Sequence, residues 1–187
     1  DTIAAIATAV GKASIGIVRI SGPDAFSIAQ SLFRPTGKPL SEMDDRTLRH
    51  GYIVDAGNPI DEVLVSFMRR PHTYTAEDIV EINAHGGAIS VRRILARVLQ
   101  KGARLAERGE FTRRAFLNGR IDLAQAEAVR DVIDAQTTHA HEQAVKQLEG
   151  KLSKEINEIK NSVLRLLAEM EYGINFMEDA QEELPQE

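Results

Sequence analysis

Thr73-Tyr74-Thr75-Ala76-Glu77-Asp78-Ile79-Val80-Glu81-Ile82-Asn83-Ala84-His85-Gly86-Gly87 decides the fold of this chain. It reads as loop, strand, glycine turn and helix start. Val80 and Ile82 flank Glu81, as in a strand buried on at least part of its surface. A carboxylate between two β-formers is either paired or used, because an unpaired charge there is costly to desolvate. Beyond Gly86-Gly87, the residues Val91, Ile94, Leu95, Val98 and Leu99 recur at helical spacing. Paired glycines at a strand-to-helix turn give a ligand room to approach backbone N–H groups at the positive end of the helix.

Towards the amino terminus, residues 2–8 and Ile15-Gly16-Ile17-Val18-Arg19-Ile20 read as strands, with Arg19 set between Val18 and Ile20 much as Glu81 sits in its own strand. Gly11-Lys12 invites a phosphate-loop reading. That loop needs a glycine five residues earlier, and Ile6 stands there, so the reading is rejected. Ser21-Gly22-Pro23-Asp24 turns the chain into a helix with Ala25, Ile28, Ala29 and Leu32 on its apolar face, ending before Pro35. Residues 35–47 look like a polar surface loop. Tyr52-Ile53-Val54 and Glu62 to Met68 form a hairpin through Asp55-Ala56-Gly57-Asn58-Pro59. Strands and helices alternate, so the fold class expected is α+β, with long helices after a mixed α/β domain.

After Gly102 the character changes. Arg104 to Gly109 reads as a charged connector and Glu110 to Leu117 as a short helix closed by Asn118-Gly119. Asp122 is the expected N-cap of the next helix, with Gln125 as capping-box partner. That helix is expected to run to about Glu149, burying Leu123, Ala126, Val129, Ile133, Ala140, Ala144 and Leu148. Gly150 interrupts, and a second long helix carries Leu152, Ile156, Ile159, Val163, Leu166 and Met170 at steps of four and three. The acidic end, 178–187, is expected to fray. Two helices cover each other on one side only, so this arm is expected to need more helices of the same protein or a second copy.

Composition narrows the function. In 187 residues, 43% are hydrophobic and 5% aromatic, so the core must rest on aliphatic side chains. There is no Cys, which excludes disulfides and thiolate-bound metal. No run of about 18 apolar residues predicts a membrane span, and no basic and then apolar start predicts a secretory leader. A net charge of -5 argues against a dedicated nucleic-acid-binding domain.

Several stretches carry a family resemblance: Asp1 to Thr8, Gly16-Ile17-Val18-Arg19-Ile20-Ser21-Gly22-Pro23, Tyr74-Thr75-Ala76-Glu77-Asp78, His85-Gly86-Gly87, Gly109-Glu110-Phe111-Thr112, and Arg114 through Val129. In order and over essentially the whole chain, the sequence resembles the MnmE (TrmE) tRNA-modification GTPases. The resemblance implies an amino-terminal domain, residues 1–118, that binds 5-formyl-tetrahydrofolate and forms a homodimer. It implies that residues 119–187 are the first part of a helical domain into which a GTPase domain is inserted. It further implies GTP hydrolysis with magnesium and potassium, the flavoprotein MnmG as partner, modification of the wobble uridine of certain tRNAs, and a cytoplasmic location. The chain holds no Gly-x-x-x-x-Gly-Lys-Ser/Thr and no Asn-Lys-x-Asp, so these residues are not expected to hydrolyse GTP themselves. It departs from the family pattern at Ala9-Val10 (usually Pro-Pro), Ala76 (Gly), Ala84 (Cys), Arg108 (Pro), Asn175 (Asp) and Met177 (Pro).

Carried over position by position, the family's folate contacts fall on Arg19, Glu81 and Arg120, the last often a Lys. The chemistry fits: one carboxylate can accept both the N–H and the NH₂ of a pterin edge, and a guanidinium binds tail carboxylates. The residues alone favour an Arg19–Glu81 structural ion pair and a solvated Arg120. His85 is expected to shape the pocket wall rather than act as a base, and no metal site or catalytic residue is expected. Two other readings stand beside this one. A helix-turn-helix-like nucleic-acid-binding protein would use Arg113, Arg114, Arg120 and Arg130 on phosphates. A free-standing folate-dependent transferase would need an acceptor site that the sequence does not offer.

Overall fold

The computed structural model describes residues 1–9, 11–38 and 44–182, with side chains to residue 173. Val10, part of the loop expected at 35–47, and the end of the acidic tail lie outside the described residues. The chain divides into two compact units, Asp1–Ile121 and Asp122–Glu187.

The first unit is a seven-stranded sheet with two of its three helices packed on one face. Its strands are β1 (Ile3–Ile6), β2 (Ile15–Ser21), β3 (Phe33–Pro35), β4 (Leu48–Asp55), β5 (Asn58–Met68), β6 (Ile79–His85) and β7 (Arg104–Leu105), in the spatial order β3-β4-β5-β6-β2-β1-β7. All neighbouring pairs are antiparallel except β1 with β7. The period of two along each strand sorts the side chains. Val18 and Ile20 of β2, Val63, Val65 and Phe67 of β5, and Val80 and Ile82 of β6 join one core. Helix α1 (Ala25–Leu32) adds Ile28 and Leu32, and helix α2 (Ala88–Gln100) adds Ile94 and Val98. Arg19 and Glu81, at the alternate positions, stand directly opposite each other in register.

Two elements exceed the sequence reading. Phe33–Pro35 leaves α1 as an edge strand on β4, and the charged connector contributes Arg104–Leu105 as a short parallel edge strand on β1. Both are too short to show a period. Gly86 lets two segments of the chain approach closely. A Cβ there would lie 2.4 Å from the Ala13 carbonyl oxygen, and its N–H donates to Ser14 O at 3.3 Å. Helix α3 (Glu110–Leu117) completes the unit where it was expected.

In the second unit the single helix expected from Asp122 to Glu149 is two: α4 (Leu123–Asp134) and α5 (Thr138–Leu148). The Asp122–Gln125 capping box forms as read. The break is at Ala135–Thr137, where Thr137 is extended (φ -131°, ψ 152°) and its hydroxyl accepts the Ala140 N–H at 3.1 Å. Gln125 Nε2 donates to Leu148 O at 2.8 Å and Gln147 Nε2 to Ala124 O at 3.1 Å. In one straight helix Ala124 and Gln147 would be about 35 Å apart. The reversal buries Ala128 and Ala144, small residues that let two helices approach closely, and leaves Leu123, Ile133 and Ala140 exposed, against expectation. Gly150 (φ 81°) then turns the chain into α6 (Lys151–Glu182), which continues through part of the stretch expected to fray. Among the described residues no helix is long and apolar enough to cross a membrane.

Candidate functional site

The open face of the sheet around Arg19 holds the most concentrated polar chemistry of the first unit. Cross-strand register places Arg19 of β2 against Glu81 of β6, and the two form an ion pair. Its geometry is one-sided. Arg19 Nε donates at 2.8 Å and Nη2 lies at 2.7 Å, both to Glu81 Oε1. Glu81 Oε2 has no hydrogen-bond partner among the described residues, although the side chain is only 22% exposed. The ion pair read from the sequence therefore exists, and it leaves one carboxylate oxygen free to accept.

Two aromatic rings line the same place. The Arg19 guanidinium carbon lies 5.5 Å from the Tyr74 ring centroid and 5.7 Å from that of Phe111. Arg120 stacks on Tyr74 as well, at 4.9 Å. Tyr74 thus brings the two arginines together on one ring, and Glu81 joins them through its ion pair with Arg19. Arg19 is balanced by Glu81, whereas Arg120 has no acidic partner among the described residues. Local structure delivers Arg120: Gly119, left-handed at φ 73°, ends α3, and the Arg120 N–H returns to Ala115 O at 2.9 Å, a C-terminal cap that only a residue without a Cβ adopts cheaply.

Hydrogen bonds fix the loop that carries Tyr74. The Tyr74 hydroxyl is 2.9 Å from Thr112 Oγ1 of α3, and Asn118 Nδ2 donates to Thr75 O at 2.7 Å. Thr75, fully buried, bonds Ser21 Oγ at 2.7 Å, and Ser21 Oγ donates to Glu77 at 2.8 Å. Arg114 of α3 reaches Glu77 at 3.1 Å and Glu110 at 3.2 Å. Glu110 is buried and accepts from Nη2 and Nη1 of Arg104, at 2.6 and 3.0 Å, and from the Glu107 N–H at 2.7 Å. The Arg104 hydrogen bonds, with those of Glu107 and Arg114, outweigh burial and hold its carboxyl at about 2. Ala76 sits left-handed at φ 59° within this loop.

Tyr74, Phe111, Thr112, Glu77 and Glu110 lie in the stretches that carry the family resemblance but have no role in the sequence reading, and Arg114 has one only as a phosphate contact. The available signal was chemical: a tyrosine among the threonines of Thr73-Tyr74-Thr75, and a Glu-Phe-Thr opening a helix. His85 pairs with Asp61 (Nδ1 to Oδ1, 2.7 Å) on an exposed surface. The Asp61 hydrogen bond, then its charge, raise the His85 pKa. Burial pushes Asp61 up, but the hydrogen bonds from Ser90 and His85 outweigh it and leave Asp61 below its ordinary value. No metal-binding group occurs among the described residues. The arginines proposed for phosphate contact are largely engaged internally: Arg113 with Glu107, Arg114 with Glu77 and Glu110, and Arg130 with Asp134.

Fold and site together define an α+β protein: a mixed-sheet domain with a guanidinium–carboxylate cluster on one face of its sheet, followed by a helical domain. Residues 2–120 match the family described as GTP-binding protein TrmE N-terminus, and residues 123–187 match that described as MnmE helical domain. The chain belongs to the MnmE (TrmE) family of tRNA-modification GTPases. It is 57% identical over 180 residues to the tRNA modification GTPase MnmE of Clostridioides difficile, covering 96% of this chain and 39% of that protein. It is 54% identical over 187 residues to the MnmE of Alkaliphilus metalliredigens, covering 98% of this chain and 41% of that protein. With the MnmE of Geobacillus thermodenitrificans the identity is 54% over 190 residues, 99% of this chain and 41% of the relative. The chain therefore spans about two-fifths of the length of the relatives it matches.

Proposed function

We propose that this chain is the folate-binding and dimerising portion of a tRNA-modification GTPase, residues 1–118, joined to the first part of its helical domain, residues 119–187. The bound cofactor is 5-formyl-tetrahydrofolate, held by Arg19, Glu81 and Arg120. The observation that carries this reading is a Glu81 Oε2 and an Arg120 guanidinium that have no partner of opposite kind among the described residues, linked through Arg19 and the Tyr74 ring. A pterin edge offers an N–H and an NH₂ side by side, and a half-buried carboxylate already neutralised by Arg19 accepts them without shedding a full charge's hydration. The folate tail carries carboxylates, and Arg120 is the site's unbalanced cation. When bound, the folate supplies a one-carbon unit; the protein orients it and keeps the pterin edge on Glu81.

The whole protein, on this reading, hydrolyses GTP with magnesium and potassium, acts as a homodimer with the flavoprotein MnmG, and modifies the wobble uridine of certain tRNAs in the cytoplasm. The present residues carry the cofactor and not the GTPase chemistry. Supporting this division are the family membership and the two-fifths coverage of the relatives. The test is calorimetric titration of this chain with 5-formyl-tetrahydrofolate, alongside Glu81→Ala. A charge-assisted hydrogen bond is worth about 1.5–3 kcal/mol, so the substitution should weaken binding by about 10- to 100-fold with an unchanged circular dichroism spectrum. Equal affinity in both proteins removes Glu81 from the site.

A further inference from the structure

We propose that Tyr74 is the positioning residue of this site and sets its preference for a ligand with an anionic tail. The inference rests on the folate reading and adds to it. Tyr74 contacts both cations of the site, and the dependence is unequal. Arg19 is held three ways: by Glu81 at 2.7 Å, by the Phe111 ring at 5.7 Å and by the Tyr74 ring at 5.5 Å. The Arg120 side chain is held by Tyr74 alone among the described residues, at 4.9 Å. A long, exposed arginine loses its rotamer freedom only where something fixes it, and a ring face attracts a guanidinium through its quadrupole.

The ring itself is fixed. Its hydroxyl is bonded to Thr112 Oγ1 at 2.9 Å, and the neighbouring Thr75 carbonyl accepts Asn118 Nδ2 at 2.7 Å, one residue before the glycine that turns the chain to Arg120. The loop and the end of α3 thus register Arg120 against the Arg19–Glu81 pair. The pair is neutral overall and suits the donor edge of a pterin. Arg120 supplies the cation for a carboxylate further along the ligand. Tyr74 fixes the separation between the two, and so selects a molecule that carries both groups.

The experiment measures two ligands, 5-formyl-tetrahydrofolate and a reduced pterin without the aminobenzoyl-glutamate tail, against the unsubstituted chain, Tyr74→Leu, Tyr74→Phe and Arg120→Gln. Tyr74→Leu is expected to lose about tenfold in folate affinity while the tail-less pterin changes by less than about threefold, since Arg19 keeps Glu81 and Phe111. Arg120→Gln should give the same pattern, and the double variant Tyr74→Leu/Arg120→Gln should lose no more than either alone, because the ring acts through that arginine. Tyr74→Phe keeps the ring and should restore most of the tail preference. A Tyr74→Leu protein that loses both ligands equally, or that adds its loss to that of Arg120→Gln, overturns the positioning role. Folate bound equally by Tyr74→Leu and the unsubstituted chain also overturns it while leaving the folate reading intact. Folate ignored by the unsubstituted chain overturns both.

Discussion

The two units use apolar side chains in opposite ways. In the first, Val18, Ile20, Val65, Val80, Ile82, Ile94 and Val98 are completely buried between a sheet and two helices. In the second, helix α6 leaves Leu152, Ile156, Ile159, Val163, Leu166 and Met170 between 44% and 66% exposed, and α4 leaves Ile133 at 76%. Both sets are equally periodic in the sequence. Periodicity tells which side chains share a face; it says nothing of whether the chain itself supplies a cover. The sheet supplies one for α1 and α2 because β-strands with aliphatic alternate positions come from the same hundred residues. Nothing comparable lies among the described residues for α6, and local backbone hydrogen bonding is a weaker source of stability for a helix than a packed face.

The contrast can be broken by substitution. Ile20→Ala, at a fully buried position, should cost about 2–5 kcal/mol of unfolding free energy in urea, whereas Ile159→Ala should change it by less than about 0.5 kcal/mol. A large loss at Ile159 would mean that α6 is covered in solution. Glu110 is the polar counterpart in the first unit. Glu110→Gln leaves Arg104 and Arg114 with a poorer acceptor and should cost about 1–3 kcal/mol. Its pH signature has a fixed sign. The folded pKa, about 2, lies below the ordinary 4.5, so ionised Glu110 stabilises the fold fully above pH 4.5 and this contribution disappears as pH falls towards 2. Acid unfolding followed by circular dichroism should therefore have a shallower limb in Glu110→Gln than in the unsubstituted chain.

Caps should matter most where burial is least. Asp122→Ala removes the carboxylate arm of the α4 capping box, leaving the backbone N–H at 122 to Gln125, and should cost the second unit about 1 kcal/mol, read as faster amide hydrogen exchange confined to α4 and α5. Exchange that also quickens in the sheet would show the two units to unfold as one. The smallest expected effect is a gain. Ala76 sits at φ 59°, where glycine is unstrained, so Ala76→Gly should stabilise the first unit by less than about 1 kcal/mol, the relieved strain being partly offset by the added freedom of the unfolded chain. A loss would mean that the left-handed conformation at Ala76 is held without strain.

Much of the candidate site was legible residue by residue and little of it as an arrangement. Arg19 and Glu81 announced themselves as charges inside strands, and the register that pairs them follows from two antiparallel strands. Arg120 did not, because a single cation beside an N-cap is indistinguishable from a solvated one until Tyr74 is seen beneath it. Tyr74 and Arg120 are separated by 46 positions, and no local pattern links them. The same limit hid the break between α4 and α5. Ala135-Gln136-Thr137 contains neither Gly nor Pro, and the hydroxyl cap at Thr137 is visible only once Gln125 and Gln147 are found reaching the opposite helix ends.

The sequence by itself determined the alternation of strands and helices in the first hundred residues, the apolar faces of α1 and α2, the Asp122–Gln125 cap and the charged strand positions. These are set by interactions within a few residues, where side-chain period and capping chemistry act directly. Only the tertiary structure decided the edge strands β3 and β7, the reversal between α4 and α5, the one-sided grip of Arg19 on Glu81 and the meeting of both guanidiniums on one ring. Each of those depends on groups far apart in the chain, whose geometry is fixed by the sheet register and helix ends that bring them together.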